Sequence, residues 1–153
     1  MNYKKLLIMI ILVGVLFSFN SEIFAETTTS MGVKYFNQLN LEDSGIYYGP
    51  VGSINLTENL KIRGSYLINS HDLEKDRIGV DSLYLFDMGI KTYLGTGISQ
   101  IRVKNFMSFM VGTEISLFRN IKIFGDGGYI FPLSHRDETE SSFIVSTGME
   151  YSF

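Results

Sequence analysis

Residues 142–153 read SFIVSTGMEYSF, and the order of these twelve side chains decides the fold. Taken in steps of two from the end, Phe153, Tyr151, Met149, Thr147, Val145 and Phe143 form one set. Ser152, Glu150, Gly148, Ser146, Ile144 and Ser142 form the other. One set is apolar and aromatic; the other is small or polar, with Ile144 as its exception. Successive side chains of a strand point to opposite faces, whereas a helix would scatter both sets around its circumference. The segment is a strand with one greasy face and one polar face.

The same alternation recurs upstream. In MSFMVGTEISL, Met107, Phe109, Val111, Thr113, Ile115 and Leu117 oppose Ser108, Met110, Gly112, Glu114 and Ser116. In LKIRGSYLI, Leu60, Ile62, Gly64, Tyr66 and Ile68 oppose Lys61, Arg63, Ser65 and Leu67. There is also an internal repeat: INLTENLKIRG (Ile54–Gly64) aligns without gaps with ISLFRNIKIFG (Ile115–Gly125). Each copy reads as strand, tight turn around Asn59 or Asn120, and strand, since asparagine tolerates left-handed turn angles. Strands are expected at about 30–38, 45–56, 60–69, 80–90, 93–102, 106–117, 121–133 and 142–153, roughly the ten residues that a tilted strand needs to cross a bilayer. Short connections fall at 57–59, 91–92 and 118–120, longer ones at 39–44, 70–79 and 134–141. The reversal at Lys91-Thr92 has no turn motif of its own and is placed by the fit of eight strands.

The start of the chain has a different character. Lys4 and Lys5 precede a 14-residue apolar stretch from Leu6 to Phe19, and Ile23-Phe24-Ala25 leads into the polar ETTTS. The stretch is short of the roughly 20 residues of a membrane-spanning helix. Its layout is that of a secretory signal cut after Ala25. The expected division is a signal peptide at 1–25 and a barrel domain at 26–153. Without residues 1–25, the 13 basic and 16 acidic residues of the 153-residue chain fall to 11 and 15, a net charge of −4. Such a chain is a poor partner for nucleic acid, whose binding rests on phosphate neutralisation. It contains no cysteine, which excludes disulfides, thiolate metal sites and cysteine catalysis.

Eight alternating strands fit either a soluble carrier barrel with an apolar interior or a membrane barrel with an apolar exterior. The polar face decides between them. It holds Gly, Ser and isolated charges (Lys61, Arg63, Asp87, Lys91, Glu114, Lys122, Asp126, Glu150) rather than the dense charge of a water-facing surface. That composition suits a narrow lumen. Aromatic residues cluster near expected strand ends, as at membrane–water boundaries: Tyr48, Tyr66, Tyr84, Tyr129, Phe131 and Phe143 toward the long loops, Phe118, Tyr151 and Phe153 toward the short turns. The expected fold is all-β, an eight-stranded antiparallel up-and-down transmembrane β-barrel. By parity Lys61, Arg63, Asp87, Glu114, Lys122, Asp126 and Glu150 point inward, joined by Phe124, and pair across a plugged lumen.

The leader, the alternating strands and the terminal aromatic residues resemble small bacterial outer-membrane β-barrel proteins of the eight-stranded, opacity-like group. The resemblance implies an integral outer-membrane location after export through the periplasm. Its partners would be the bilayer with lipopolysaccharide-type lipids and the outer-membrane assembly machinery, with the barrel a monomer. It also implies that Tyr151 and Phe153 form the assembly signal read by that machinery.

Catalytic, cofactor and metal sites are not expected. His135 lies in PLSHRDETE beside Ser134, Asp137, Glu138 and Glu140, and His71 lies in NSHDLEKDR. A rim-active lipid A hydrolase or acyltransferase is therefore the alternative to a non-enzymatic envelope-structural or surface-interaction role. Residue types alone do not make a triad. Carboxylates at Glu42, Asp43, Asp72, Glu74, Asp76, Asp137, Glu138 and Glu140 form no calcium-loop pattern. Gly95-Thr96-Gly97 precedes no helix and so forms no phosphate loop. N-terminal sequencing of the exported protein is expected to begin at Glu26; a retained Met1 would refute the leader.

Overall fold

The computed structural model describes residues 28–39, 45–72, 75–133 and 141–153. The expected leader and cut after Ala25 lie outside these residues, as do Ser134, His135, Asp137, Glu138, Glu140, Glu42, Asp43 and Glu74. Eight strands follow one another: β1 (Thr29–Leu39), β2 (Gly45–Asn55), β3 (Leu60–Asn69), β4 (Arg77–Asp87), β5 (Lys91–Ile101), β6 (Lys104–Ser116), β7 (Ile121–Pro132) and β8 (Ser142–Ser152). Each pairs antiparallel with the next. β8 returns to β1 with Lys34 opposite Gly148, and the barrel is closed. Closure satisfies both edges of every strand, the condition for a sheet without exposed backbone donors and acceptors.

Side-chain alternation divides the wall as the sequence pattern implies. Val33, Leu94, Ile98 and Val111 project outward, each more than half exposed (59%, 57%, 62% and 53%). Lys61, Arg63, Glu114 and Glu150 project inward and are buried. A carrier barrel has the opposite polarity.

The two copies of the repeat adopt one hairpin geometry. Leu56 N and Thr57 N donate to Leu60 O at 2.8 and 3.3 Å, and Leu117 N and Phe118 N donate to Ile121 O at 2.9 and 3.3 Å. Ile54 faces Ile62 in the first copy and Ile115 faces Ile123 in the second. In the closed ring these hairpins, β2–β3 and β6–β7, lie four strands apart, half the circumference.

Two expectations need correction. The reversal between β4 and β5 is at Met88-Gly89-Ile90, not at Lys91-Thr92. Gly89 has φ 87° and its N–H donates to Asp87 Oδ1 at 2.9 Å. Glycine takes that angle without a Cβ clash and aspartate closes the turn with its own side chain. The strand therefore starts three residues earlier than expected, which brings Arg77 into the wall. Tyr84 consequently sits toward the short turns, opposite Leu60 at the start of β3, and not toward the long loops. Its ring lies 6.5 Å from that of Phe86.

The inside of the barrel is layered. At the long-loop end Phe36, Tyr47, Leu67, Ile101, Phe106, Ile130 and Ile144 form an apolar cluster. Inward glycines make room for large side chains lower down. A Cβ at Gly112 would come within 2.5 Å of the Tyr93 ring, and one at Gly148 would overlap the ring of Phe124. At the short-turn end the lumen opens into a vestibule of about 580 Å³, with Asp87, Lys91, Glu114 and Lys122 on its walls.

Candidate functional site

Glu150, on the closing strand β8, is fully buried and collects donors from three other strands. Lys61 Nζ donates to Glu150 Oε2 at 2.7 Å and Arg63 Nε to Oε1 at 3.1 Å. The hydroxyls of Ser30 and Ser53 donate to Oε2 at 3.1 and 3.0 Å. Lys61 Nζ also donates to Glu114 Oε2 at 2.7 Å, and Lys122 Nζ stands 3.2 Å from Glu114 Oε1. Two lysines thus bracket one carboxylate. They occupy equivalent positions of the two repeat copies.

Arg63 links this group to a second carboxylate. Its Nη1 is 3.6 Å from Asp126 Oδ2 and 3.4 Å from the Tyr93 hydroxyl, which donates to Asp126 Oδ2 at 2.9 Å. Ser146 donates to the other oxygen of Asp126. The guanidinium lies 3.8 Å from the centroid of the Phe124 ring and 5.4 Å from that of Tyr93. A cation over an aromatic face gains from the ring quadrupole, more so away from water. Arg63 and Phe124 are also equivalent positions of the repeat.

Six of the seven expected lumen charges therefore meet: Lys61, Arg63, Glu114, Lys122, Asp126 and Glu150. Asp87 does not join them. It has lumen parity, but it is exposed at the end of β4, where its carboxylate accepts from Gly89. Several inward residues were missed. Lys34 lies 3.7 Å from Asp81, both buried, and their parity was legible within the expected strands. Arg77 lies outside the expected strand 80–90; it is buried with its guanidinium 3.9 Å from the centroid of the Phe36 ring. Tyr93, Ser30, Ser53 and Ser146 carry no charge, and only their partners mark them as members.

The rim is plainer. The His71 backbone N–H donates to Asn69 Oδ1 at 2.9 Å, and the Arg102–Asp72 ion pair, at 2.8 Å, is exposed. Tyr66 donates to Asp76 Oδ2 at 2.6 Å. Among the described residues no three His, Asp or Glu side chains gather as metal ligands would. Tyr151 and Phe153 lie at the short-turn end of the outer face, exposed, with ring centroids 5.3 Å apart.

The solved structures similar to this chain are barrels of the same kind. The N-terminal β-barrel domain of Pseudomonas aeruginosa OprF superposes with a TM-score of 0.64 at 15% identity, covering 81% of this chain and 97% of that one. Neisserial surface protein A, NspA, gives 0.55 at 14% identity, covering 83% and 97%. The likeness is one of fold: this chain has the closed eight-stranded barrel of small bacterial outer-membrane proteins. The sequence matches no protein-family model and no curated protein.

Removing one member of a buried charge group leaves the others without a counter-charge, which costs about 3–5 kcal/mol. Glu150→Ala strips Lys61 and Arg63 of their shared acceptor and is expected to fall in that range. Glu114→Gln is expected to cost less, because Lys61 keeps Glu150 and Lys122 is part-exposed. Urea unfolding of the refolded protein in lipid vesicles checks the order; equal losses would show that Glu150 is not the hub.

Proposed function

We propose that this protein is a non-enzymatic barrel integral to the bacterial outer membrane, with a plugged lumen and an envelope-structural or surface-interaction role. The observation that carries this reading is the inverted polarity of the wall: exposed apolar side chains outside, a paired charge group inside. An apolar exterior of this kind is stable against lipid and not against water. The surrounding lipids would be of the lipopolysaccharide type, and the barrel would work as a monomer.

The contents of the lumen support a plugged interior. Eight strands enclose a space that side chains can fill, whereas water-filled porins use 16–18 strands. Here one apolar cluster occupies the long-loop end, and the charge group shares the short-turn half with a second, Leu83, Leu85, Tyr93 and Met110. Their charges are held by one another and would serve as structural braces, not as a selectivity filter. The purified protein in a planar bilayer is expected to give no stable openings. Reproducible ion-selective openings that shift on Glu114→Gln would make it a small pore instead.

Tyr151 and Phe153 would act as the tag read by the assembly machinery during insertion. Support comes from their placement as an exposed aromatic pair at the short-turn end of the closing strand. The interfacial contact itself contributes a few kcal/mol at most, so the tag would act on the rate of insertion. Deleting Phe153 is expected to lower assembly in cells well below wild type while leaving refolding in detergent nearly intact. Equal loss in both would reduce Phe153 to a packing residue.

A further inference from the structure

On the outside of the barrel, one sector of the wall departs from the rest. The outward aromatic residues of the long-loop half include Tyr66 on β3 and Phe131 on β7. Between them the outward positions at that end are Ile78 and Val80 on β4, Ile98 and Gln100 on β5, and Asn105 and Met107 on β6. The aromatic girdle that anchors a barrel at the membrane–water boundary is therefore interrupted over three strands. In its place lies a groove of about 360 Å³ walled by Ile78, Val80, Ile98 and Leu133, with Gln100 and Asn105 on the long-loop side of Ile98.

The two carboxamides are neighbours. Gln100 pairs with Asn105 across β5 and β6, Ile78 flanks Gln100 on β4, and Leu133 N donates to Asn105 O at 2.9 Å on the far side. Both residues are exposed, and among the described residues neither carboxamide has a hydrogen-bond partner. A polar group on a wall packed against lipid costs free energy until a partner satisfies it. Each carboxamide both donates and accepts. An ester-linked acyl chain offers acceptors only, so it would leave the pair half met. An amide-linked chain that also carries a hydroxyl offers donors as well as acceptors, which matches the pair.

In barrels of this class the longer loops mark the outer face and the short turns the periplasmic face. The groove then lies in the outer leaflet. We propose that it holds one acyl chain of a lipopolysaccharide-type lipid, with the amide and hydroxyl near the head of that chain hydrogen-bonded to Gln100 and Asn105. The apolar walls take the chain and the carboxamides take its linking group. The site rests on the membrane reading above and gives the lipid partner one defined place on the barrel.

The test uses the intact mature barrel in phosphatidylcholine nanodiscs, with isoleucine methyl groups labelled for NMR. Purified lipid A is titrated in, and phosphatidylglycerol, also acidic but ester-linked and without hydroxylated chains, is the comparison. The Ile78 and Ile98 signals are expected to shift and saturate with lipid A and to show contacts with its chain protons. Ile115 and Ile123, outward at the short-turn end, are expected to shift little. Gln100→Leu combined with Asn105→Leu is expected to weaken the lipid A response about tenfold, the loss of two modest hydrogen bonds, without moving the phosphatidylglycerol response. Equal saturation by phosphatidylglycerol, a shift that never saturates, or an unchanged response in the double variant would overturn the site. The comparison of the two lipids on the wild-type barrel decides even where the variant fails to fold. Full insertion with unresponsive Ile78 and Ile98 would overturn the site alone, whereas a barrel that never enters the discs would overturn the membrane reading and the site with it.

Discussion

Glu150 is the interaction on which the rest of the barrel turns. It sits on the last strand, yet its carboxylate is held by Ser30 of β1, Ser53 of β2, and Lys61 and Arg63 of β3. The backbone ladder between β8 and β1 closes the ring at its seam. Glu150 closes it again from the inside. Taking such a carboxylate out of water is unfavourable by several kcal/mol, and only a full set of donors offsets that. The small residues around it follow from the same need, because glycine and serine leave the space that long charged side chains cross.

The period-two alternation made most of this legible in the sequence. Strand parity put Lys61, Arg63, Glu114, Lys122, Asp126, Glu150 and Phe124 on the inward face, because each lies in a strand whose two faces differ sharply. The β4–β5 hairpin is illegible in the sequence for a local reason. FDMGIKTYLG contains no Asn-Gly pair, and the turn depends on an Asp87 side chain capping a left-handed Gly89. A turn three residues later preserves strand parity but takes Arg77 out of the wall and puts Tyr84 at the opposite end. The apolar cluster at the long-loop end was illegible for another reason. Phe36, Tyr47, Leu67 and Ile130 have lumen parity, and a hydrophobic residue on a polar face reads as noise until its neighbours across the barrel are known.

The internal repeat gains meaning only in three dimensions. Copies offset in sequence become hairpins half a circumference apart, with matching turn hydrogen bonds. Equivalent positions then meet in the lumen. Lys61 and Lys122 share Glu114, while Arg63 of one copy stacks on Phe124 of the other. The two copies thus differ where they touch: a cation and an aromatic ring at one site are complementary, and two cations there would repel. The wall keeps an approximate two-fold pattern that its contents break.

That cross-lumen stacking also has a mechanical meaning. A ring of hydrogen-bonded strands resists stretching along its circumference but flattens easily, because bending the sheet breaks no ladder. Lys61 reaching from β3 to Glu114 on β6, and Arg63 from β3 to the Phe124 ring on β7, act as struts across the diameter. Lateral pressure on the wall is then carried through side chains as well as by the curvature of the sheet. Opposite walls of the barrel are thus linked from within.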